Sequence, residues 1–268
     1  GARAECGRAM PHFHTAPNAV SVVVGASRGL GLALSAALLQ RSTGRVVALA
    51  RQPEEAPALL ALQEASGGRL SCFSCDVTDC ESLRTMAEHL KAEHKQVDLL
   101  LNVAGVLHEP AAAGRMDPVR QPERRLAAVD PEWMARVYAV NAMGPVLTTQ
   151  AIQPLLSKGA VIASLSARVG SIGDNRMGGW WSYRMSKSAL NMATKNMANE
   201  MRRDQVIAVA LHPGTTATEL SAPFQKNVRP EKLFTSEYTA GMLLDVLEGL
   251  APEDSGGFFA YDGSDIPW

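Results

Sequence analysis

The chain has 268 residues, of which 46% are hydrophobic and 20% charged, and its formal net charge is −1. This length and apolar content allow a sizeable core and argue against disorder, and the near-zero charge gives no electrostatic basis for binding nucleic acid or an anionic membrane. No apolar run reaches the ~18 residues that a membrane span needs, so we expect a soluble globular protein.

The N-terminal residues 1–18 carry Arg3 and Arg8 against one acidic residue, Glu5. We expect a disordered N-terminal tail over 1–18, followed by a single domain over 19–268. The alternative is a remnant of a transit segment. We therefore expect a cytoplasmic protein, or a mitochondrial one if the segment is such a remnant.

Short β-branched or apolar runs then alternate with longer helical stretches. The predicted strands are Val20–Val24, Arg45–Ala50, Arg69–Asp76, Val97–Leu101, Ala160–Leu165 and Val206–Leu211. Five helices are predicted. The first follows Val20–Val24 and ends near Gln40, the second lies near Ala56–Ala65, and the others run over about Asp79–Lys95, Pro131–Leu156 and Ser182–Arg203. This alternation predicts a parallel sheet with helices on both faces, in one domain.

Two helix starts are predicted from capping residues. Thr78 and Glu81 have the spacing of a capping box. Asp130 offers an N-cap acceptor before Pro131, which is favoured in the first turn of a helix.

The four cysteines are too few for a disulfide framework in a chain of this length. Cys72 and Cys75 form a CxxC motif but lie in a predicted strand, without a second pair to complete a metal site. We interpret them as small buried thiols, which indicates a reducing compartment.

A glycine-rich turn, Gly25-Ala-Ser27-Arg28-Gly29-Leu30-Gly31, joins the first strand to the first helix. A dinucleotide site needs such a turn because the backbone must approach a pyrophosphate closely and present helix N-terminal amides. The spacing is GxxxGxG rather than GxGxxG, and no Lys-Ser/Thr follows as in a nucleotide-triphosphate loop. The turn indicates a dinucleotide site, with a plain tight turn as the alternative.

The end of the second strand indicates which dinucleotide is bound. An NAD-binding site has an acidic residue there to accept the ribose hydroxyl, whereas this chain has Ala50-Arg51, with Arg28 in the glycine turn. Two guanidinium groups and no carboxylate suit a 2′-phosphate, which predicts NADP(H). Two solvated surface arginines are the alternative.

Tyr183-Arg-Met-Ser-Lys187 places a phenol and an ammonium group on one face of a predicted helix, one turn apart. The pKa of tyrosine is about 10 without help, and a nearby cation lowers it by stabilising the phenolate. The pair predicts acid–base chemistry, although a YxxxK pattern alone also occurs on surfaces.

In the preceding helix, the position four residues after Asn141 is Pro145, which has no amide to bond the Asn141 carbonyl; a simple proline kink is the alternative.

Together these motifs resemble the short-chain dehydrogenase/reductase family along nearly the whole chain. The matching segments, in the family's order, are Gly25–Gly31, Asp76-Val77, Asn102-Val-Ala104-Gly105, Asn141, Ser164-Leu-Ser166, Tyr183 with Lys187, and Pro213-Gly214-Thr-Thr216-Ala-Thr218. Within the family, the segments 168–173 and 178–187 resemble the sniffer-type carbonyl reductases and the bacterial C-factor proteins.

The resemblance implies a role for each matching position. Tyr183 would protonate a carbonyl oxygen or deprotonate an alcohol, Lys187 would lower its pKa and hold the nicotinamide ribose, and the Asn141 carbonyl would hold a water of a proton relay. The implied cofactor contacts are Gly25, Ser27, Arg28, Leu30, Gly31, Arg51, Asp76, Val77, Asn102, Ala104, Gly105, Tyr183, Lys187, Pro213, Gly214, Thr216 and Thr218. Simpler alternatives are that Asp76 ends a strand and that Thr218 caps a helix.

The sequence departs from the family pattern at three positions. Val24 replaces a threonine, and Val103 replaces an asparagine. Ala167 stands where the catalytic serine usually lies. Ser166 would have to take that role, which requires a bend in the backbone because adjacent strand residues point to opposite faces; Ser164 and Ser171 are its competitors.

We therefore expect an α/β protein with a doubly wound, mostly parallel sheet of about seven strands, the cofactor lying across its carboxyl edge. Its expected function is NADP(H)-dependent hydride transfer between the nicotinamide and a small-molecule carbonyl or alcohol, which enters over a lid at residues 217–235. The rival hypothesis is an NADP(H)-binding redox sensor or signalling protein with little or no turnover. An apolar stripe through Leu190, Met197 and Met201 serves either packing within the fold or helix-to-helix contact in a homodimer or homotetramer, and the resemblance favours the dimer.

Overall fold

Strands and helices alternate along the chain in a computed structural model, which describes residues 13, 16, 18–109 and 120–268. The strands within these residues are β1 Val20–Val24, β2 Arg45–Ala50, β3 Leu70–Ser74, β4 Val97–Asn102, β5 Leu156–Leu165, β6 Ile207–His212, β7 Thr215–Thr216, β8 Leu233–Phe234 and β9 Phe258–Ala260. The α-helices are α1 Gly29–Arg41, α2 Pro57–Ala65, α3 Cys80–Glu93, α4 Pro131–Tyr138, α5 Gly144–Ile152, α6 Trp181–Glu200 and α7 Ser236–Glu248.

The described strands form a seven-stranded sheet in the order β3-β2-β1-β4-β5-β6-β9, and β7 pairs separately with β8. Each neighbouring pair in the large sheet is parallel. The predicted doubly wound fold is confirmed. The strand order reverses between β1 and β4, which makes the carboxyl ends of these two strands the crevice where such sheets bind ligands.

Hydrophobic side chains cover both faces of the sheet. All residues of β1 and β4 are buried, as expected for central parallel strands. One core cluster includes Leu34 of α1 and Leu243 of α7, and the other includes Met86 of α3, Ile152 of α5 and Met197 of α6. The helices therefore lie on opposite faces and leave the carboxyl edge of the sheet to loops.

The long helix predicted over Pro131–Leu156 is interrupted. A π-helical turn at Ala139–Met143 separates α4 from α5, and the Gly144 amide bonds the Ala139 carbonyl. The missing amide of Pro145 explains why regular hydrogen bonding cannot continue through this point. The prediction of one continuous helix was therefore wrong, and the interruption includes Asn141, whose carbonyl the Pro145 nitrogen cannot bond.

The two predicted caps have different outcomes. The Asp130 side chain accepts a hydrogen bond from the Trp133 amide, as predicted. The capping box at Thr78 was wrong: the N-cap of α3 is Asp79, which accepts from the Glu81 amide. Thr78 is used elsewhere, because its hydroxyl and amide both donate to Asp76.

Some predictions about packing are also corrected. Leu190, Met197 and Met201 are between 1% and 7% exposed, so the stripe packs within the fold and is not a dimer surface. Of residues 1–18 the structure describes 13, 16 and 18. Phe13 is 1% exposed and packs in the core, so at this residue the structure differs from the predicted disordered tail. The rest of that segment lies outside the described residues.

The cysteine interpretation is confirmed at Cys75, which is buried; Cys72 is half-buried, and both are free thiols. Burial raises the pKa of Cys75 to about 11, which makes its thiol unreactive. Within the described ranges, His, Cys, Asp and Glu side chains form no group of three that could hold a metal ion. No helix in that part of the chain is long and apolar enough to span a membrane.

Candidate active site

The glycine turn lies at the reversal of the strand order. Gly25 and Gly29 have φ values of +87° and +55°, which favour glycine. A Cβ at Gly31 would lie 2.1 Å from the Gly25 carbonyl oxygen, so a side chain has no room there. The N-cap residue Arg28 makes no side-chain cap, and the first turn of α1 has no acidic residue. These features leave the amides of the turn to an anionic ligand.

The remaining residues of the turn differ in exposure. Ser27 is half-buried and Arg28 is exposed. The side chain of Leu30 packs in the core, so its contact with a cofactor would be made by the backbone. Arg28 forms an ion pair with Glu219 at 3.2 Å, and both side chains are largely exposed.

The predicted adenine side of the crevice is formed by the ends of β2 and β3. Arg51 is exposed directly after β2. Burial alone would raise the pKa of Asp76, but hydrogen bonds from Thr78 and the charges of Arg136 and Arg51 outweigh it and lower that pKa. Val77 packs against the backbone of α5, since a Cβ at Gly144 would lie 2.8 Å from its Cγ2. Asp76 therefore stays a charged acceptor in the crevice.

The loop after β4 brings the next predicted segment to the site. Asn102 is 3% exposed, and its Nδ2 donates weakly to Ser164 at 3.4 Å, while its Oδ1 has no hydrogen-bond partner. Ala104 lies so close to the glycine turn that a Cβ at Gly25 would be 2.8 Å from its backbone. A Cβ at Gly105 would be 3.4 Å from Asn141 Oδ1 and 3.7 Å from Lys187 Nζ.

Asn141 connects this loop to α6. Its Oδ1 accepts from the Val106 amide at 2.8 Å, and its Nδ2 donates to the Val106 carbonyl at 2.8 Å and to Ser186 Oγ at 3.1 Å. The Ser186 hydroxyl donates in turn to the Tyr183 carbonyl at 2.8 Å. Sequence reasoning missed Ser186, although its position directly before Lys187 on the predicted helix was a usable signal.

Tyr183 and Lys187 are brought together on the buried face of α6. Their exposed fractions are 8% and 3%, and Lys187 Nζ lies 5.7 Å from the centroid of the Tyr183 ring. Lys187 Nζ also donates to the Leu165 carbonyl at 2.6 Å, at the end of β5. The predicted pair is therefore a real spatial cluster with Asn141 and Gly105.

The protonation of this pair differs from the expectation that Lys187 lowers the pKa of Tyr183. Burial raises the pKa of Tyr183 above its ordinary value, and burial lowers the pKa of Lys187 to about 7. Desolvation penalises both charged forms and outweighs their attraction. In the free protein the phenol therefore keeps its proton, and Lys187 exchanges its proton near neutral pH.

The Ser166 hydroxyl is already engaged within the fold. The Ser166 hydroxyl donates to Asn191 Oδ1 at 2.6 Å, and Asn191 lies two helical turns beyond Tyr183 on α6. The bend that Ser166 needed is absent, because Ala167 keeps an extended backbone with φ −152° and ψ 146°. The competitors are also engaged: Ser171 Oγ donates to the Pro267 carbonyl, and Ser164 is fully buried beside Asn102.

The segment after β6 closes the other side of the crevice. Gly214 has a φ of +72°, and Pro213 accepts a weak hydrogen bond from the Thr216 hydroxyl at 3.4 Å. Thr216 Oγ1 lies 3.1 Å from Thr239 Oγ1 of α7. Thr218 reaches the glycine turn, since a Cβ at Gly29 would lie 3.3 Å from its Cγ2. The alternative role of Thr218 as a helix cap gains no support, because its hydroxyl donates weakly to the Thr216 carbonyl at 3.5 Å and the N-cap of the following 3-10 helix is Ser221.

An aromatic wall, formed by His108, Trp180 and Phe224, lies beside Tyr183. The Trp180 ring is 6.2 Å from the Tyr183 ring and 4.9 Å from the Phe224 ring. Phe224 is 6.1 Å from His108, whose Nε2 is 3.2 Å from the Leu220 carbonyl. The lid predicted over residues 217–235 therefore contacts the site through Phe224. Sequence reasoning did not predict that Trp180 and His108 belong to it.

The class of dinucleotide-dependent α/β oxidoreductases is defined by a doubly wound sheet, a glycine turn at its switch point and a cluster of tyrosine, lysine and asparagine. This chain has all three features. Residues 19–229 match the family model described as short chain dehydrogenase. The 1-hydroxy-2-glutathionyl-2-methyl-3-butene dehydrogenase of Rhodococcus sp. (strain AD45) is 32% identical, over 92% of this chain and 98% of the relative.

Two solved structures are similar throughout. The NADPH-bound carbonyl reductase from chicken fatty liver is 30% identical with a TM-score of 0.78, covering 94% of this chain and 99% of that one. The carbonyl reductase Sniffer of D. melanogaster is 25% identical with a TM-score of 0.80, covering the same 94% and 99%. The chain belongs to the short-chain dehydrogenase/reductase family, and its predicted likeness to the sniffer-type members is confirmed.

Proposed function

We propose that the protein is an NADP(H)-dependent reductase of aldehydes or ketones, with the reverse oxidation of alcohols at the same site. The observation that carries this proposal is the buried cluster of Tyr183, Lys187 and Asn141 beside the glycine turn. The carbonyl reductases among the similar structures support it, as does the dehydrogenase activity named for the Rhodococcus relative.

The residues of the crevice fit a dinucleotide with a 2′-phosphate. A Cβ at Gly25 or Gly31 would fill the cradle, and the uncapped start of α1 offers amides to a pyrophosphate. Arg28 and Arg51 are exposed where a 2′-phosphate would lie, and no acidic residue follows β2 directly. The unpartnered Oδ1 of Asn102 is an orphaned acceptor inside the same crevice. When bound, NADPH supplies a hydride to a carbonyl carbon.

The proton chemistry belongs to α6. In reduction, the Tyr183 phenol donates its proton to the carbonyl oxygen, and burial keeps that proton in place until it is needed. Lys187, whose pKa is about 7, can return a proton to the phenolate. Asn141 fixes the geometry by joining the loop at Val106 to α6. In this arrangement Tyr183 donates without help from Ser166, whose hydroxyl is held by Asn191.

The aromatic wall indicates the chemical class of the substrate. Trp180 and Phe224 pack against each other beside Tyr183, so aromatic rings border the space next to the phenol. Such rings favour planar or extended apolar groups. We therefore propose aromatic or long-chain aliphatic carbonyl compounds as substrates.

The rival hypothesis of a sensor with little turnover is not favoured. A protein that only binds the cofactor has no need of a buried acid–base pair, because burying Tyr183 and Lys187 carries a desolvation cost. The presence of both groups with Asn141 supports an enzyme.

A homodimer, or a tetramer built from it, is also proposed, on a different surface from the stripe predicted from the sequence. Met185 and Met192 lie seven residues apart on α6, and they are 41% and 64% exposed. A groove between α4 and α6 is lined by Tyr138, Ile172 and Met185. Apolar side chains that share one helical face are typical of contacts between identical subunits.

The experiment that tests the proposed reaction is a panel of aromatic and aliphatic aldehydes and ketones, assayed with NADPH. Tyr183→Phe should abolish most turnover while leaving the dissociation constant for NADPH within about twofold, because the phenol is needed for proton transfer. Tyr238→Phe is the matched control, since Tyr238 is half-exposed on α7. Tight NADPH binding without turnover of any compound would favour the sensor, and equal activity of Tyr183→Phe and the wild type would refute the role of Tyr183.

A further inference from the structure

The catalytic helix α6 begins without a cap of its own. Its N-cap residue is Trp180, which has left-handed backbone angles of φ 51° and ψ 46° and makes no side-chain cap. An indole carries only an N–H donor, so Trp180 cannot accept a hydrogen bond from the first-turn amides. A left-handed conformation is also unfavourable for a bulky residue. Something else in the structure must hold this turn.

Glu123 supplies the missing cap from a distant part of the chain. It is 6% exposed, and one carboxylate oxygen accepts from the Ser182 amide at 3.2 Å, while the other accepts from the Ser182 hydroxyl. Its backbone carbonyl accepts from the Trp180 amide at 2.5 Å. The carboxylate also lies at the positive end of the α6 dipole, where a negative charge is favourable.

The residues held in this way are those next to the chemistry. Tyr183 directly follows Ser182, and Trp180 contacts both Tyr183 and Phe224. A serine or aspartate at position 180 would cap the helix but would remove the ring from the aromatic wall. Resting on the proposed function, we infer that Glu123 is a positioning residue: it caps the catalytic helix so that Trp180 is free to line the substrate site and Tyr183 is fixed.

Lys187 makes it possible to distinguish a positioning role of Glu123 from a general effect of Glu123 on the stability of the fold. It lies one turn beyond Tyr183 and is held independently by the Leu165 carbonyl at 2.6 Å. Among the described residues, Glu123 makes its side-chain hydrogen bonds with Ser182 and not with the glycine turn or the loop after β4. Fraying of the first turn of α6 should therefore disturb Tyr183 and Trp180 while leaving Lys187 and the cofactor crevice in place.

The test compares Glu123→Ala and Glu123→Gln with the wild type. We expect Glu123→Ala to lower kcat about tenfold or more and to raise KM for the carbonyl compound severalfold, with the dissociation constant for NADPH within about twofold. Glu123→Gln keeps an acceptor oxygen for Ser182, so it should restore most of the lost kcat. Asp79→Ala is the matched control, because it removes the cap of α3; it should lower Tm but leave kcat at saturating NADPH unchanged.

Hydrogen exchange gives a readout that needs no activity. The Ser182 amide should exchange at least tenfold faster in Glu123→Ala, because its acceptor is the carboxylate. The Trp180 amide, whose acceptor is the backbone carbonyl of residue 123, and the amides in the middle of α6 should keep their protection. If the Ser182 amide exchanges faster in Glu123→Ala but the wild type turns over no carbonyl compound, the proposed function is refuted and the cap is established. A normal kcat in Glu123→Ala, with or without a lower Tm, would overturn the positioning role. If Glu123→Ala does not fold, Glu123→Asp takes its place, because its shorter side chain cannot reach Ser182. Unchanged kcat, KM and amide exchange in Glu123→Asp would overturn the positioning role equally.

Discussion

At the scale of single residues, burial governs the chemistry of the site. Tyr183 and Lys187 lie on the same buried face of α6, and each is less than 9% exposed. The low dielectric of such a position penalises phenolate and ammonium alike. The protonated phenol is suited to give a proton, and the lysine changes its charge in the range where enzymes work.

The burial of Lys187 predicts a dependence of stability on pH. Its pKa is about 7 in the folded protein and about 10 when unfolded, so between these values the unfolded chain binds more protons. The free energy of unfolding therefore rises with pH across this window, and the penalty for burying the ammonium is fully present below pH 7. Lys187→Met removes that penalty, which is on the order of a few kcal/mol.

We expect the Tm of cofactor-free Lys187→Met to exceed that of the wild type at pH 6, with a difference that shrinks toward pH 10. Scanning calorimetry over this range measures it. Lys91→Met is the control, because Lys91 is exposed on α3 and its ammonium group remains hydrated. A Tm difference for Lys187→Met that does not vary with pH would contradict the proposed burial of the charge.

Ser166 provides a second prediction at this scale. Its hydroxyl is bound to buried Asn191, so Ser166→Ala should leave an unsatisfied acceptor and lower the free energy of unfolding by about 1–3 kcal/mol. We expect kcat to fall less than about tenfold. A loss of about 10²–10³ in kcat would instead show that Ser166 donates to the substrate oxygen. Ala167→Ser is the matched variant: it places a hydroxyl at the half-buried position next along the chain, and we expect it to raise kcat.

At the scale of elements, the sequence predicted what depends on local pattern. The buried strands β1, β2 and β4 agree with their predicted ends to within one residue, because each is a short run of mostly apolar residues. Pro145 predicted that the Asn141 carbonyl has no amide partner four residues on, but the π-helical turn itself was not predicted. The contacts of Glu123 with Ser182 could not be predicted, since the two residues are 59 positions apart and no local sequence pattern connects them. The same holds for Trp180 and Phe224, which meet only in the folded chain.

The lid and the glycine turn predict how cofactor preference is set. Arg28 pairs with Glu219 of the lid, and an exposed ion pair of this kind is worth up to ~1 kcal/mol. A 2′-phosphate must compete with Glu219 for Arg28. Glu219→Gln should therefore tighten NADPH binding by about twofold to fivefold and leave NADH binding unchanged, because NADH has no 2′-phosphate.

Fluorescence titration with both cofactors measures this effect. The wild type should bind NADPH more tightly than NADH, and Arg51→Asp should reverse that preference by a few kcal/mol at most. Equal or tighter binding of NADH by the wild type would refute the assignment of Arg28 and Arg51 to the 2′-phosphate. An equal gain in affinity for both cofactors in Glu219→Gln would show that the ion pair acts on the lid and not on the phosphate.

At the scale of the whole molecule, the exposed face of α6 raises the question of what covers it. The opposite face of the same helix is fully used, because Leu190, Met197 and Met201 pack into the core. Met185 and Met192 remain exposed, and Met143 and Val146 beside the π turn are 55% and 38% exposed. Exposed apolar side chains on a helix that is already anchored in the core are suited to pack against a second copy about a two-fold axis.

We expect light scattering across a dilution series to show a dimer, or a multiple of it, and Met192→Glu to shift the equilibrium toward the monomer. A glutamate at this position would face its own symmetry mate in an isologous contact, so that two negative charges would be buried together. Leu60→Glu is the control, since Leu60 is 36% exposed on α2, which follows β2 near the other edge of the sheet. It should leave the mass unchanged. A wild type that stays monomeric at every concentration would refute the dimer, and dissociation by Leu60→Glu but not by Met192→Glu would move the interface to α2.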